Sequence, residues 1–228
     1  MSSITSNYQL LISKLDQFIR KYYVNKLIRG FLYSTGAIVL SFLIINLVEY
    51  YFYLSTTARK ALFYGFIGGS AAALTGWVLL PMLHYFRLGK IISHHQAAQI
   101  VGNHFSNVKD KLLNILQLKE QSKSAADATL IEASVNQKIE EIKPVPFTNA
   151  INLSNNRRYA KYAIMPVLLL LAILIGAPNL IPSSATRLLN NNQTFEPPAP
   201  FKFDLATTNL EVVQFSDFDI TVNVSGNV

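Results

Sequence analysis

Three stretches of this chain are apolar on every side of a helix, and between them apolar and polar residues alternate at helical or strand spacing. The first run goes from Phe31 to about Leu54 with Glu49 as its only charge. The second, Ala61 to His84, and the third, Ala163 to Ile181, contain no Lys, Arg, Asp or Glu. Each approaches or exceeds the roughly 20 residues a helix needs to cross the hydrocarbon core of a bilayer. None keeps the polar stripe of a helix that buries only one face, so three transmembrane helices are predicted. Tyr50, Tyr51, Phe52 and Tyr53 close the first run, Tyr85 and Phe86 close the second, and Tyr159 and Tyr162 open the third. Such rings favour the headgroup region. Glu49 lies within the first of these belts and is read as a carboxylate reaching the interface rather than as an ion ligand.

Outside these runs the periods change. Residues 1–30 carry Leu11, Leu15, Phe18 and Tyr22 at steps of four and three, an amphipathic helix placed either on the membrane surface or on the middle segment. In residues 85–161, Val101, Phe105, Val108, Leu112 and Ile115 form a stripe widened by Leu116, predicting one helix from about Ile91 to Leu118 whose apolar face is a candidate docking stripe. Ser124 and Asp127 suggest a capping box opening a second helix. Its stripe is Ile131, Val135, Ile139 and Ile142, and it stops at Pro144 and Pro146. The pair reads as a helical hairpin.

The period becomes two near the end. A polar linker is expected over 183–200, with hairpin-forming transmembrane helices over 31–84 and the third span over 162–182. From residue 201, Phe201, Phe203 and Leu205, then Leu210 and Val212, then Phe218, Ile220, Val222 and Val224 alternate with polar residues. These look like the opening strands of an immunoglobulin-like β-sandwich. Such a sandwich needs about seven strands, so 201–228 is expected to be the start of a domain in a longer protein, or to be completed by a partner.

The fold class expected is therefore a mainly α membrane protein with a few C-terminal strands, and composition agrees. Half the residues are hydrophobic, only 14% are charged, and the mean hydropathy is +0.27, against about a quarter charged in soluble domains. Small residues Gly65, Gly69, Ala73 and Gly76 share one face of the second span, spacing that lets helices pack closely in lipid. The first span is the default partner and a second copy the alternative. The net charge of +7 is spread among apolar runs, which favours an anionic lipid surface over nucleic acid. Lys14, Arg20, Lys21, Lys26 and Arg29 precede the first span, Arg87 and Lys90 follow the second, and Arg157, Arg158 and Lys161 precede the third. Arg59 and Lys60 dissent. The positive-inside rule then puts the N-terminus and the middle segment in the cytoplasm and the C-terminus in the periplasm.

Candidate chemistry is sparse. There are no cysteines, which excludes thiolate metal sites and cysteine nucleophiles. His94, His95 and His104 are not spaced three or four apart, the spacing that puts two ligands on one helix face, and no phosphate loop, GxSxG or HExxH occurs. No catalytic residue, cofactor or metal site is expected, and the protein is not read as an enzyme. Lys109, Lys111, Lys119 and Lys123 are interleaved with Asp110 and Glu120 as an ordinary solvated face.

The stretch from Ile100 to Leu118 (IVGNHFSNVKDKLLNILQL), with Lys143-Pro-Val-Pro-Phe147 and Pro198-Ala-Pro-Phe201, resembles segments of a domain-of-unknown-function family. Its members are large, coiled-coil-rich membrane proteins of Bacteroidetes-type bacteria. The resemblance spans about Leu10 to Val228. It implies an N-terminal membrane unit followed by immunoglobulin-like strands and a long coiled-coil region, and carries no catalytic residues with it. The function expected is a multi-pass inner-membrane anchor or scaffold presenting a periplasmic β-domain. Protein partners or self-association through the helices are also expected. The alternative is a subunit of a transmembrane signalling or transport assembly.

Overall fold

The computed structural model describes residues 2–121, 128–197, 201–206, 211, 214, 217 and 220–226. Side chains are described from residue 7 and, in the helix following residue 127, from residue 133. The first helix, α1, runs unbroken from Ser2 to Phe52, about 75 Å at 1.5 Å per residue. The chain has no proline before Pro81, so nothing interrupts the ladder as the amphipathic segment runs into the first apolar run. Tyr53 ends the helix in the left-handed region (φ 44°), and Ser55 caps α2 by accepting the Ala58 N–H at 3.4 Å. Helix α2 (Thr56–Leu74), a π turn (Thr75–Leu79) and α3 (Leu80–Tyr85) then form one rod. Helices α4 (His94–His104), α5 (Ser106–Gln121) and α6 (Ala128–Ile142) follow. Two 3-10 turns lead into α7 (Arg157–Gly176), α8 (Leu180–Leu189) and the strands β1 (Phe201–Leu205) and β2 (Val222–Gly226).

Three helical segments, Asn7–Phe52, Thr56–Tyr85 and Phe147–Gly176, are long and apolar enough to cross a membrane. Only 6% of the most apolar window is buried in the second and third, and 22% in the first. Phe31, Ile44, Ile67, Leu79, Leu168 and Ile175 all point outward. An exposed apolar area of this extent marks contact with something other than water.

Prolines set how the spans meet. Pro81 lacks the N–H that an α-helix would donate to the Trp77 carbonyl, and Pro166 inside α7 likewise leaves the Tyr162 carbonyl without its donor. Both carbonyls lie against glycines of α1. A Cβ added at Gly30 would collide with the Trp77 carbonyl, and one at Gly36 with the Tyr162 carbonyl. Only glycine lets these backbones approach so closely. The expected stripe does not make this contact. Gly65, Gly69 and Gly76 have no atom within 4 Å of an added Cβ, and Ala73 is half-buried. The small-residue contact with the first span belongs instead to α1.

Beyond Gly30 the apolar side chains turn inward. Leu11, Leu15, Phe18, Ile19 and Tyr23 of α1 pack into one core with Ala97, Val101, Val108, Leu112, Ile115, Val135, Ile139 and Ile142. Lys14 donates to the Lys143 carbonyl, and Lys21 to the Thr148 carbonyl at 2.8 Å. The amphipathic N-terminal helix thus lies on the middle segment, not on a leaflet. The candidate docking stripe is filled from within: Val101, Val108, Leu112 and Ile115 are buried and Phe105 packs against the same core. Nor is it one helix. Phe105 leaves the helical region (φ −115°, ψ 83°), and α5 closes on α4 so tightly that a Cβ at Gly102 would sit 2.8 Å from the Lys109 Cα. A capping box forms at Ser93 and Gln96, whereas the one expected at Ser124 and Asp127 lies outside the described residues.

At the opposite end the expected linker is partly helical. Leu180, Ile181, Ser184, Arg187 and Leu188 form the buried face of α8, and Leu180 and Ile181 pack on Leu43 of α1. The third span therefore ends at Gly176 rather than at Ile181. Strands β1 and β2 pair antiparallel, with Phe203 opposite Val224 and Leu205 opposite Val222. The expected strand at Leu210 and Val212 lies outside the described residues, and a two-stranded sheet is what is seen.

A buried carboxylate between two arginines

A buried cluster of charged side chains lies at the end of the α1–α2 hairpin. Glu49, Arg59 and Arg187 have relative exposures of 0%, 0% and 7%. Glu49 sits in the last turn of α1, where a negative charge opposes the helix dipole, and Arg59 in the first turn of α2, where a positive one does. Each position is unfavourable alone; together they pair across the turn. Arg59 Nε donates to Glu49 Oε1 at 3.0 Å, and Arg187 Nε donates to the same oxygen at 3.2 Å.

Backbone acceptors and rings take up further donors. Arg59 Nη2 donates to the Leu54 carbonyl at 2.8 Å and Nη1 to the Gln193 carbonyl at 2.7 Å, while Arg187 Nη2 donates to the Glu49 carbonyl at 3.1 Å. The Arg59 guanidinium lies 4.9 Å from the Phe195 ring centroid, and that of Arg187 4.3 Å from the Tyr53 ring. Such cation–π placement matters most where water is excluded. Glu49 Oε2 is enclosed with no hydrogen-bond partner among the described residues. One turn below, Ser184 Oγ of α8 donates to Asn46 Oδ1 of α1 at 2.8 Å, and both side chains are fully buried.

Glu49 therefore does not reach out to an interface as expected. It faces inward and joins four pieces of chain: α1, the turn into α2, α8 and the segment around residues 193–195. By sequence, Arg59 is a dissenting charge and Arg187 falls in a linker. The usable signal was Glu49 itself, since an ionisable group in an apolar run needs a partner, and Arg59 lies ten positions away across a tight turn.

The other sequence candidates stand apart from this cluster. His94 Nε2 is 3.0 Å from Asp16 Oδ1, His95 is 3.9 Å from Glu120, and His104 meets the Phe105 ring edge-on. Arg87 also pairs with Asp16, at 2.8 Å. Among the described residues no three His, Asp or Glu side chains gather as a metal site would require. The geometry of the Glu49 cluster can hold elements together. Compared with known proteins, the chain matches no family model, no curated protein and no solved structure.

Proposed function

We propose that this chain is a multi-pass membrane anchor that holds its C-terminal strands on a rigid mount, without enzymatic activity. The basic residues flanking the spans favour an inner membrane with the helical bundle in the cytoplasm and the strands in the periplasm. The observation that carries the reading is the Glu49 cluster. Arg59 and Arg187 tie the turn at the top of the hairpin to α8 and to the segment around residues 193–195 that precedes the strands, and this tied end is the mount. A transport pathway would instead leave charges free within the apolar runs, and the one carboxylate of those three runs, Glu49, is taken up by two arginines.

The chain has no cysteine, so single cysteines can report both position and rigidity. A cysteine at Gln137 should react with a membrane-impermeant maleimide only from the cytoplasmic side, and one at Asn223 only from the periplasmic side. Labelling of both from one side would refute the orientation. Spin labels at Lys60 and Glu196, both exposed, should give a narrow distance distribution that broadens in Glu49→Gln. An unchanged distribution would refute the mount.

A further inference from the structure

We infer that the cleft where α1, the π turn and α7 meet is a binding site for one anionic phospholipid, with its headgroup on Arg29, Arg158 and Lys161. This deepens the membrane-anchor reading and rests on it. The cleft is a cavity of about 390 Å³ lined by Tyr33, Gly36, Ala37, Leu40, Trp77 and Pro166, with Tyr162 at its rim. It exists because the bare glycine and the two proline-interrupted helices leave space beside the close backbone contacts. Apart from ring hydroxyls, an indole N–H and the proline-freed carbonyl, its walls are hydrocarbon and aromatic, suited to an acyl chain rather than to water.

One end of the cleft is ringed by aromatics and then by cations. Tyr33 meets Tyr159 edge-on at 5.4 Å and packs at a tilt against Tyr162 at 5.9 Å and Trp77 at 6.1 Å. Tyr159 is flanked by two guanidiniums, those of Arg29 and Arg158, each 4.8 Å from its centroid, and Lys161 lies 5.2 Å from the Tyr162 ring. None of these three cations has a carboxylate within ion-pair distance among the described residues. Arg29 Nε is enclosed and donates to nothing described. The contrast with the other end is informative, because there Arg59 and Arg187 share Glu49. Uncompensated cations beside an apolar cleft at the interface complement a lipid phosphate, and basic pockets between spans recognise anionic headgroups in this way.

Trp77 is the only tryptophan and lines the cleft, so its fluorescence reports occupancy. The whole chain would be placed in vesicles of phosphatidylcholine containing equal small fractions of brominated phosphatidylglycerol or brominated phosphatidylcholine. The expected result is stronger quenching by the anionic lipid, with relative affinity falling about fivefold for each cation replaced by Gln at Arg29, Arg158 or Lys161. The Arg29→Lys, Arg158→Lys variant should keep the preference, and millimolar inorganic phosphate should not compete. Equal quenching by both lipids, or a preference that survives the triple Gln variant, would overturn the inference while leaving the anchor intact. Competition by free phosphate would reassign the site to a soluble anion and overturn it too. Quenching by neither lipid would overturn the membrane reading and this site with it.

Discussion

Glu49 illustrates how one side chain's environment decides its role. Removing one member of a buried ion pair leaves its partners desolvated and uncompensated, at a cost of about 3–5 kcal/mol. Glu49→Ala is therefore expected to lower the thermal stability of the detergent-solubilised protein by that order, and Arg187→Ala by a similar amount. The double variant should lose much less than the sum, since the two share Oε1. Additive losses in unfolding curves would show that the cluster is not a unit. Asp16 shows the milder, solvent-facing case in the bundle. Partial burial pushes its carboxyl upward, but hydrogen bonds from Arg87 and His94 outweigh that and hold it below its ordinary value. A depressed carboxylate stabilises the fold fully above its unfolded value of about 3.9. That contribution fades as pH falls through the lower folded value. Asp16→Asn should thus cost under about 1 kcal/mol at pH 7, given its exposure. The difference from wild type should vanish at pH values below the folded one, as followed by circular dichroism.

The elements meet through backbone as much as through side chains. Pro81 and Pro166 each release a carbonyl one turn earlier, and Gly30 and Gly36 receive them on the same helix. Gly30→Ala and Gly36→Ala should each destabilise the three-helix unit despite alanine's higher helix propensity, by at least about 1–3 kcal/mol of overpacking strain. Gly69→Ala, with open space around it, should be neutral or stabilising by up to about 1 kcal/mol. Aggregation temperatures in detergent separate these outcomes, and a loss at Gly69 as large as that at Gly30 would contradict the packing. Helix α8 was hidden by its polar residues. Its buried positions 180, 181, 184, 187 and 188 nonetheless follow a helical period that includes Ser184 and Arg187. Leu180, Ile181 and Leu188 share that face with a serine and an arginine, so the apolar positions alone trace only part of it.

Across the molecule there are two packing regimes, with apolar side chains carried outward on the three long apolar helices and inward in the bundle. Near the N-terminus the apolar residues go inward, and α1 is the shared strut that enters both the bundle and the spans. Leu112→Ala in the fully buried bundle core should cost about 2–5 kcal/mol, read by hydrogen exchange of α4 to α6, while exchange in the spans stays unchanged. Exchange that rose together in the spans and the bundle would mean that the two regions unfold as one.

Much of this was legible from residue order. The three apolar helices follow from the preference of their residues for oil over water, which accumulates along a segment regardless of its neighbours. The amphipathic stripes at Leu11 to Tyr22 and Val101 to Ile115 follow from helical period in the same local way. Which stripe covers which is not a local property, so the filling of the supposed docking face by α1 had to come from the folded chain. The same holds for Glu49 and Arg187, 138 positions apart, and for the glycines, whose value depends on carbonyls freed by prolines in other helices. Partition and period act over a few turns; pairing of buried charge and close backbone approach depend on three-dimensional neighbours that no spacing along the chain specifies.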